Sequence, residues 1–205
     1  MFKQCLAFIT AASLGLGLSG CTSLMASATG PEPVGNAPGE HTLSMSLQDT
    51  GIENTAGINM YKADTQFRDA NVNVISFYGS VLLAGQVQSE ELKAKAEKIV
   101  NQIAEVKQIH NELIIAPASY YAERFSDGSI TKRIGSAFLF EKGFPSSRTK
   151  VFTVAGTVYL MGKLTPTEAD QAVTIIKAVS GVKKIVKLVD YLPAPGAAAP
   201  TTSAS

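Results

Sequence analysis

The chain has 205 residues, 45% of them hydrophobic, and a formal net charge of +1. This length admits one large domain or two small ones, and the near-neutral charge gives no basis for general nucleic-acid binding. The two cysteines, Cys5 and Cys21, both lie near the N-terminus, which excludes a disulfide framework in the body of the chain.

Lys3 opens the chain with a positive charge, and residues 5–18 form an apolar run of signal-peptide length, too short to span a bilayer. Residues 1–20 are therefore expected to be a cleaved export signal. Leu18-Ser19-Gly20-Cys21 resembles the lipobox of bacterial lipoproteins, in which small residues precede a cysteine that is acylated as the first residue of the mature protein. The competing reading, an ordinary secretory peptide, leaves Cys21 as a lone thiol in an oxidising compartment, so lipidation of Cys21 is preferred. Several acyl chains give stable anchoring at about 0.8 kcal/mol per buried CH₂. In the sorting pattern this segment resembles, an Asp after the cysteine retains a lipoprotein in the inner membrane, so Thr22 points to the outer membrane.

Residues 21–46, rich in Ser, Ala, Gly and Pro with no period, read as the acylated cysteine and a flexible tether. A coil of about 25 residues typically spans on the order of 25–30 Å. Residues 193–205, uncharged and of similar composition, read as a disordered tail.

Between these ends one signature is written twice. Phe77-Tyr78-Gly79-Ser80-Val81-Leu82-Leu83-Ala84-Gly85 returns as Val154-Ala155-Gly156-Thr157-Val158-Tyr159-Leu160-Met161-Gly162, with glycines six apart in both copies. Apolar runs around a turn glycine predict a hairpin, and its recurrence predicts a duplicated module. In the first copy, residues 47–116, Asp49 caps a weak helix to about Tyr61 with Ile52, Ala56 and Met60 on one face. Strands at 71–77 and 81–86 follow, then a helix from Ser89 with Leu92, Ala96, Ile99, Val100 and Ile103 on its apolar face, and a closing strand at 106–115. Residues 117–128 read as a linker. The second copy, residues 129–192, repeats the order: a helix at about 129–141, strands at 149–155 and 157–163, a helix at 165–179 and a strand at 182–191. Thr165, Pro166 and Glu168 form a capping box at the start of that last helix. The fold class is therefore α+β, two tandem α-β-β-α-β modules, each with a three-stranded mixed sheet covered by two helices.

The element order, the glycine-spaced hairpin and the Val-Lys pairs that lead the closing strands (Val106-Lys107, Val182-Lys183) resemble the BON domain, a small envelope module. Two such modules behind a lipobox and tether resemble dual-BON outer-membrane lipoproteins over roughly residues 47–192. The resemblance implies a lipid-anchored protein on the periplasmic face of the outer membrane, enriched at the division site, that supports envelope integrity and contacts anionic phospholipid through the first helix of the second module.

No residues point to an enzyme. His41 falls in the tether and His110 on a strand, where a satisfied strand histidine is the preferred reading, and no cysteine joins either of them, so no metal site and no cofactor are expected. The glycines build no phosphate loop. Charge distinguishes the copies: residues 49–115 carry six bases against nine acids, −3, and residues 129–192 carry ten against four, +6. A basic surface attracts anionic lipid or an acidic protein.

The helix at 129–141 holds more apolar residues than a one-sided helix needs. At about 100° per residue Ile130, Ile134, Ala137 and Phe138 share one face, Leu139 lies almost opposite Ile130, and Phe140 lies beside Arg133. Leu139 and Phe140 near Lys132 and Arg133 have the composition of an interfacial lipid contact. Alternatively the helix ends at Phe138 and the following residues turn inward with Phe144. The family resemblance favours the former and implies phospholipid binding by Ile130, Arg133, Phe138, Leu139 and Phe140, to which the composition of the tip adds Lys132. Relatives of this type can carry a tryptophan where this helix opens with Ser129; its absence implies either a weaker lipid affinity or a contact shifted toward Leu139 and Phe140. Lys183, Lys184 and Lys187 form another basic cluster, equally readable as guards of a strand edge. The expected partners are thus an anionic phospholipid membrane and, as the alternative function, an envelope assembly protein for which the chain is an adaptor; nucleic acid and metal are not expected.

Overall fold

The computed structural model describes residues 40–117 and 121–193, with backbone alone at Tyr121, Ala122, Glu123 and Phe125. Cys21, most of the tether and nearly all of the tail lie outside the described residues.

The first module opens with helix α1, Leu43–Ala63, whose N-cap is Thr42 and whose buried face carries Ile52, Ala56 and Met60. A 3-10 turn at Thr65–Arg68 buries Phe67. Strands β1, Asn71–Phe77, and β2, Ser80–Val87, pair antiparallel. Helix α2, Glu90–Val100, starts at the Ser89 cap and leads to β3, Gln108–Ile115, which pairs parallel with β2. The second module repeats this order with α3, Tyr121–Phe140, β4, Thr149–Val154, β5, Thr157–Leu164, α4, Pro166–Lys177, and β6, Lys184–Tyr191. The capping box at Thr165 forms as expected. Each sheet is three-stranded and mixed, with the second strand of its module at the centre.

Both hairpins turn on two residues at positive φ: Tyr78 (58°) with Gly79 (78°), and Ala155 (50°) with Gly156 (77°). This is the arrangement whose twist matches antiparallel strands. The second glycine of each signature has a different cause. A Cβ on Gly85 would sit 1.8 Å from the Asn71 carbonyl oxygen, and one on Gly162 would sit 2.3 Å from that of Arg148, so the neighbouring backbone fills the space a side chain needs. The Val-Lys pairs precede the closing strands rather than belonging to them, and their lysine N–H groups donate to the turn glycines, Lys107 to Gly79 and Lys183 to Gly156.

Three apolar clusters follow from strand alternation. Val81, Leu83 and Val87 of β2 face α1 and α2, and Val158, Leu160 and Leu164 of β5 face α3 and α4. The intervening residues, Leu82 and Ala84 of β2 and Tyr159 and Met161 of β5, join Ile75, Phe77, Tyr78 and Val154 in a third cluster that both modules share. The sheets therefore stack face to face with the helices outside. Part of the charge difference between the copies is used here. Lys150 Nζ lies 3.0 Å from Glu53 Oε1 and donates to the Ser76 carbonyl at 2.9 Å, and Lys163 Nζ lies 4.9 Å above the Tyr78 ring.

Two opening helices begin earlier than their patterns predict. α1 starts at Leu43, so residues 43–46, read as tether, are helical and Asp49 is not a cap. α3 starts at Tyr121, so most of the stretch read as linker is helical too. The physical reason is the same in both, as the site geometry makes clear.

Candidate functional site

The opening helices are held by buried carboxylates. Asp49, one turn and more inside α1, accepts from the backbone N–H of Tyr78 and of Gly79, both at 2.9 Å, and from the Ser76 hydroxyl. His41 Nε2 lies 2.8 Å from its other side, stacked among Phe77 and Tyr78 rather than free in a tether. Burial pushes the Asp49 carboxyl up, but the hydrogen bonds from Ser76, His41, Gly79 and Tyr78 together outweigh it and hold the group below its ordinary value. Asp127 of α3 repeats the device, accepting from Ala155 N–H at 2.7 Å and Gly156 N–H at 2.9 Å. Each carboxylate thus staples its helix to a hairpin turn, fixing where the outward face of that helix points.

On α3 that outward face is Lys132, Arg133, Ser136, Leu139 and Phe140, all exposed, at the spacings that align along one side of a helix. Leu139 is 72% and Phe140 87% exposed. The helix continues through Phe140, and only Phe144 turns inward, its ring centroid 4.5 Å from that of Phe138. Ile130 and Phe138, each 3% exposed, belong to the core of the second module and do not reach this face, because they point with Ile134 toward β5 and α4. Arg133 is not a free cation: it donates to the Ser180 hydroxyl and carbonyl at 2.8 and 2.9 Å, tying α3 to the loop after α4. The exposed ridge is thus a pair of large apolar side chains, the exposed cation Lys132 and the tethered cation Arg133.

A second basic feature lies on the edge of the same module. Lys177, Lys183, Lys184 and Lys187, with Val173, Val182 and Ile185, line a groove of about 430 Å³ between α4 and β6, where Lys187 approaches Asp170 at 3.9 Å. His110 is half-buried on β3, and burial holds its ring below its ordinary value against the opposing effects of Glu112 and Asp190. Among the described residues no three His, Cys, Asp or Glu side chains gather as metal ligands, and no helix is long and apolar enough to cross a membrane.

Two α-β-β-α-β modules stacked through their sheets, with helices outward and turn-clamped, define a tandem scaffold that offers helix faces for binding. The chain belongs to the BON domain family, whose pattern matches residues 59–117 and 126–193. It is 29% identical over 166 residues to outer membrane lipoprotein DolP of Haemophilus influenzae, covering 80% of this chain and 81% of that protein. It is 29% identical over 161 residues to the 21 kDa hemolysin of Actinobacillus pleuropneumoniae, covering 75% of this chain and 83% of that one. The osmotically-inducible protein Y of Escherichia coli is 27% identical over 121 residues, 58% of this chain and 60% of that one.

Sequence reasoning missed the paired carboxylates. The signal was present: Asp49-Thr50-Gly51-Ile52 and Asp127-Gly128-Ser129-Ile130 recur 78 residues apart, continuing the repeat upstream of the hairpin.

Proposed function

We propose that this chain is a lipid-anchored envelope protein of the DolP type, acylated at Cys21 and facing the periplasm from the outer membrane, whose second module contacts anionic phospholipid and supports membrane integrity without catalysing a reaction. The observation that carries the reading is the exposure of Leu139 and Phe140 on the same helix face as Lys132 and Arg133. Ile130 and Phe138 support that face from the core. Burying two such apolar side chains contributes about 1.5–3 kcal/mol each, and a cation near an anionic surface about 1 kcal/mol. The sum is a weak contact, suited to a protein already held at the bilayer by acyl chains.

The test is flotation of the Cys21→Ser chain with vesicles of phosphatidylcholine alone or mixed with phosphatidylglycerol. Flotation with the anionic vesicles only is expected, and Leu139→Asp with Lys132→Glu should abolish it while leaving thermal unfolding unchanged. Equal binding to both vesicle types, or none, overturns the reading. The adaptor alternative draws on Arg133, whose engagement with Ser180 leaves fewer donors for a headgroup. A photocrosslinker at position 139 that captured one dominant envelope protein in cells, rather than lipid, would favour it.

A further inference from the structure

The two modules treat one place in the fold differently. Aligned through the repeat, with Asp49 on Asp127 and Ile103 on Val179, Thr55 of α1 corresponds to Arg133 of α3, Ala104 to Ser180 and Glu105 to Gly181. In the second module the Arg133 guanidinium crosses from the helix to the loop, donating to the Ser180 carbonyl at 2.9 Å and the Ser180 hydroxyl at 2.8 Å, with its Nε 3.5 Å from the Ser129 carbonyl. The first module keeps the helix and the loop but has Thr55 where the second has the arginine. A cleft of about 460 Å³ stands open there, lined by Gln48, Gly51, Thr55 and Asn59 of α1 and by Gln102 and Glu105 of the loop, over the buried side chains of Ile52 and Ile103. Among the described residues nothing donates to the Ala104 carbonyl, which matches the Ser180 carbonyl in position. Glu105 adds a carboxylate where the second module has a glycine.

We propose that this cleft receives the arginine side chain of a partner protein, in the place that Arg133 fills from within the second module. The chemistry is specific. A planar fork of N–H groups can reach a carbonyl and a carboxylate at once, whereas an ammonium is a point charge that engages them one at a time. The module around the cleft carries −3 and attracts a cationic segment. The cleft lies on the helical side of the first module, away from the ridge of α3, so a polypeptide can occupy it while that ridge is engaged elsewhere.

The test uses the isotopically labelled Cys21→Ser chain and the probe Nα-acetyl-argininamide, followed by amide chemical shifts. Saturable shifts confined to Gly51, Thr55 and residues 102–105 are expected. The uncharged isostere Nα-acetyl-citrullinamide and the ammonium probes Nα-acetyl-lysinamide and ethanolamine should bind about tenfold more weakly or not at all, the loss expected for a charge-assisted fork. Thr55→Arg should fill the cleft from the helix and abolish the shifts, and Glu105→Gln should weaken them about tenfold. Absence of localised shifts, equal response to citrulline or ethanolamine, or unchanged binding in both variants would overturn the proposal.

Discussion

Replacing Asp49 by Asn tests how far a single carboxylate holds the first module together. One oxygen of Asp49 accepts from Ser76 and Gly79, the other from Tyr78 and His41. The amide of Asn keeps only one oxygen, so the Tyr78 N–H then meets another donor. The imidazole of His41 can recover its bond by accepting from the new amide. Hydrogen bonds to a charged group are worth about 1.5–3 kcal/mol each; one or two lost, offset in part by no longer burying a charge, leave a cost of about 3 kcal/mol. For a body of this size that is a fall in Tm of about 6–12 °C. The pH dependence has a definite sign. The folded carboxyl is held below its ordinary value of 3.8, so its contribution is complete above about pH 4 and is lost as pH falls through the folded value. Chemical denaturation at pH 7 and pH 3 should show Asp49→Asn well below wild type at pH 7, with the gap narrowing at pH 3. A difference under about 1 kcal/mol at pH 7, or the same gap at both pH values, would refute the reasoning.

Other substitutions separate neighbouring roles. Phe138→Ala should cost about 3–5 kcal/mol in denaturant unfolding, whereas Leu139→Ala beside it should stay within about 0.5 kcal/mol. Gly135→Ala, where a Cβ meets nothing within 4 Å, should stabilise α3 by about 0.5–1 kcal/mol. Gly85→Ala, by contrast, should leave little folded protein, read as loss of dispersed amide resonances, because its Cβ collides with the Asn71 backbone. Lys150→Met should cost less than about 1 kcal/mol, since both Lys150 and Glu53 are partly solvated, and its effect should shrink as salt is raised.

The strands, the middle helices and the capping box were legible because each carries a short, local rule: alternation, a 3.6-residue period, a Thr-Pro-x-Glu start. α1 and α3 were not, and the reason is physical. Their outward faces carry Leu43, Leu47, Ile58, Leu139 and Phe140, and their inward faces carry Asp49 and Asp127, so apolar and polar residues stand on the wrong sides for an amphipathic count. Asp127-Gly128 also reads as a turn, when the carboxylate is in fact bonded to a hairpin far along the chain. The candidate ridge was half legible. Helical geometry alone put Leu139 and Phe140 outside, while grouping Ile130 and Phe138 with them came from family resemblance and gave way to packing. That the bases of the second module divide between the outer surface and the seam with the first could not be read from a net charge.

The seam between the sheets has a consequence for how the duplication works. Each module lends the other a wall: Leu82 and Ala84 are covered because the second copy is there, and Tyr159 and Met161 because the first is. Neither half is a spare, and a single copy would need a twin to hide the same face. Having spent their sheets on each other, the copies are left looking in opposite directions, with α3 on one side and α1 on the other. Divergence after duplication could then change one outlook without disturbing the other, making from two similar halves a plate with a greasy, cationic side and a notched, acidic one.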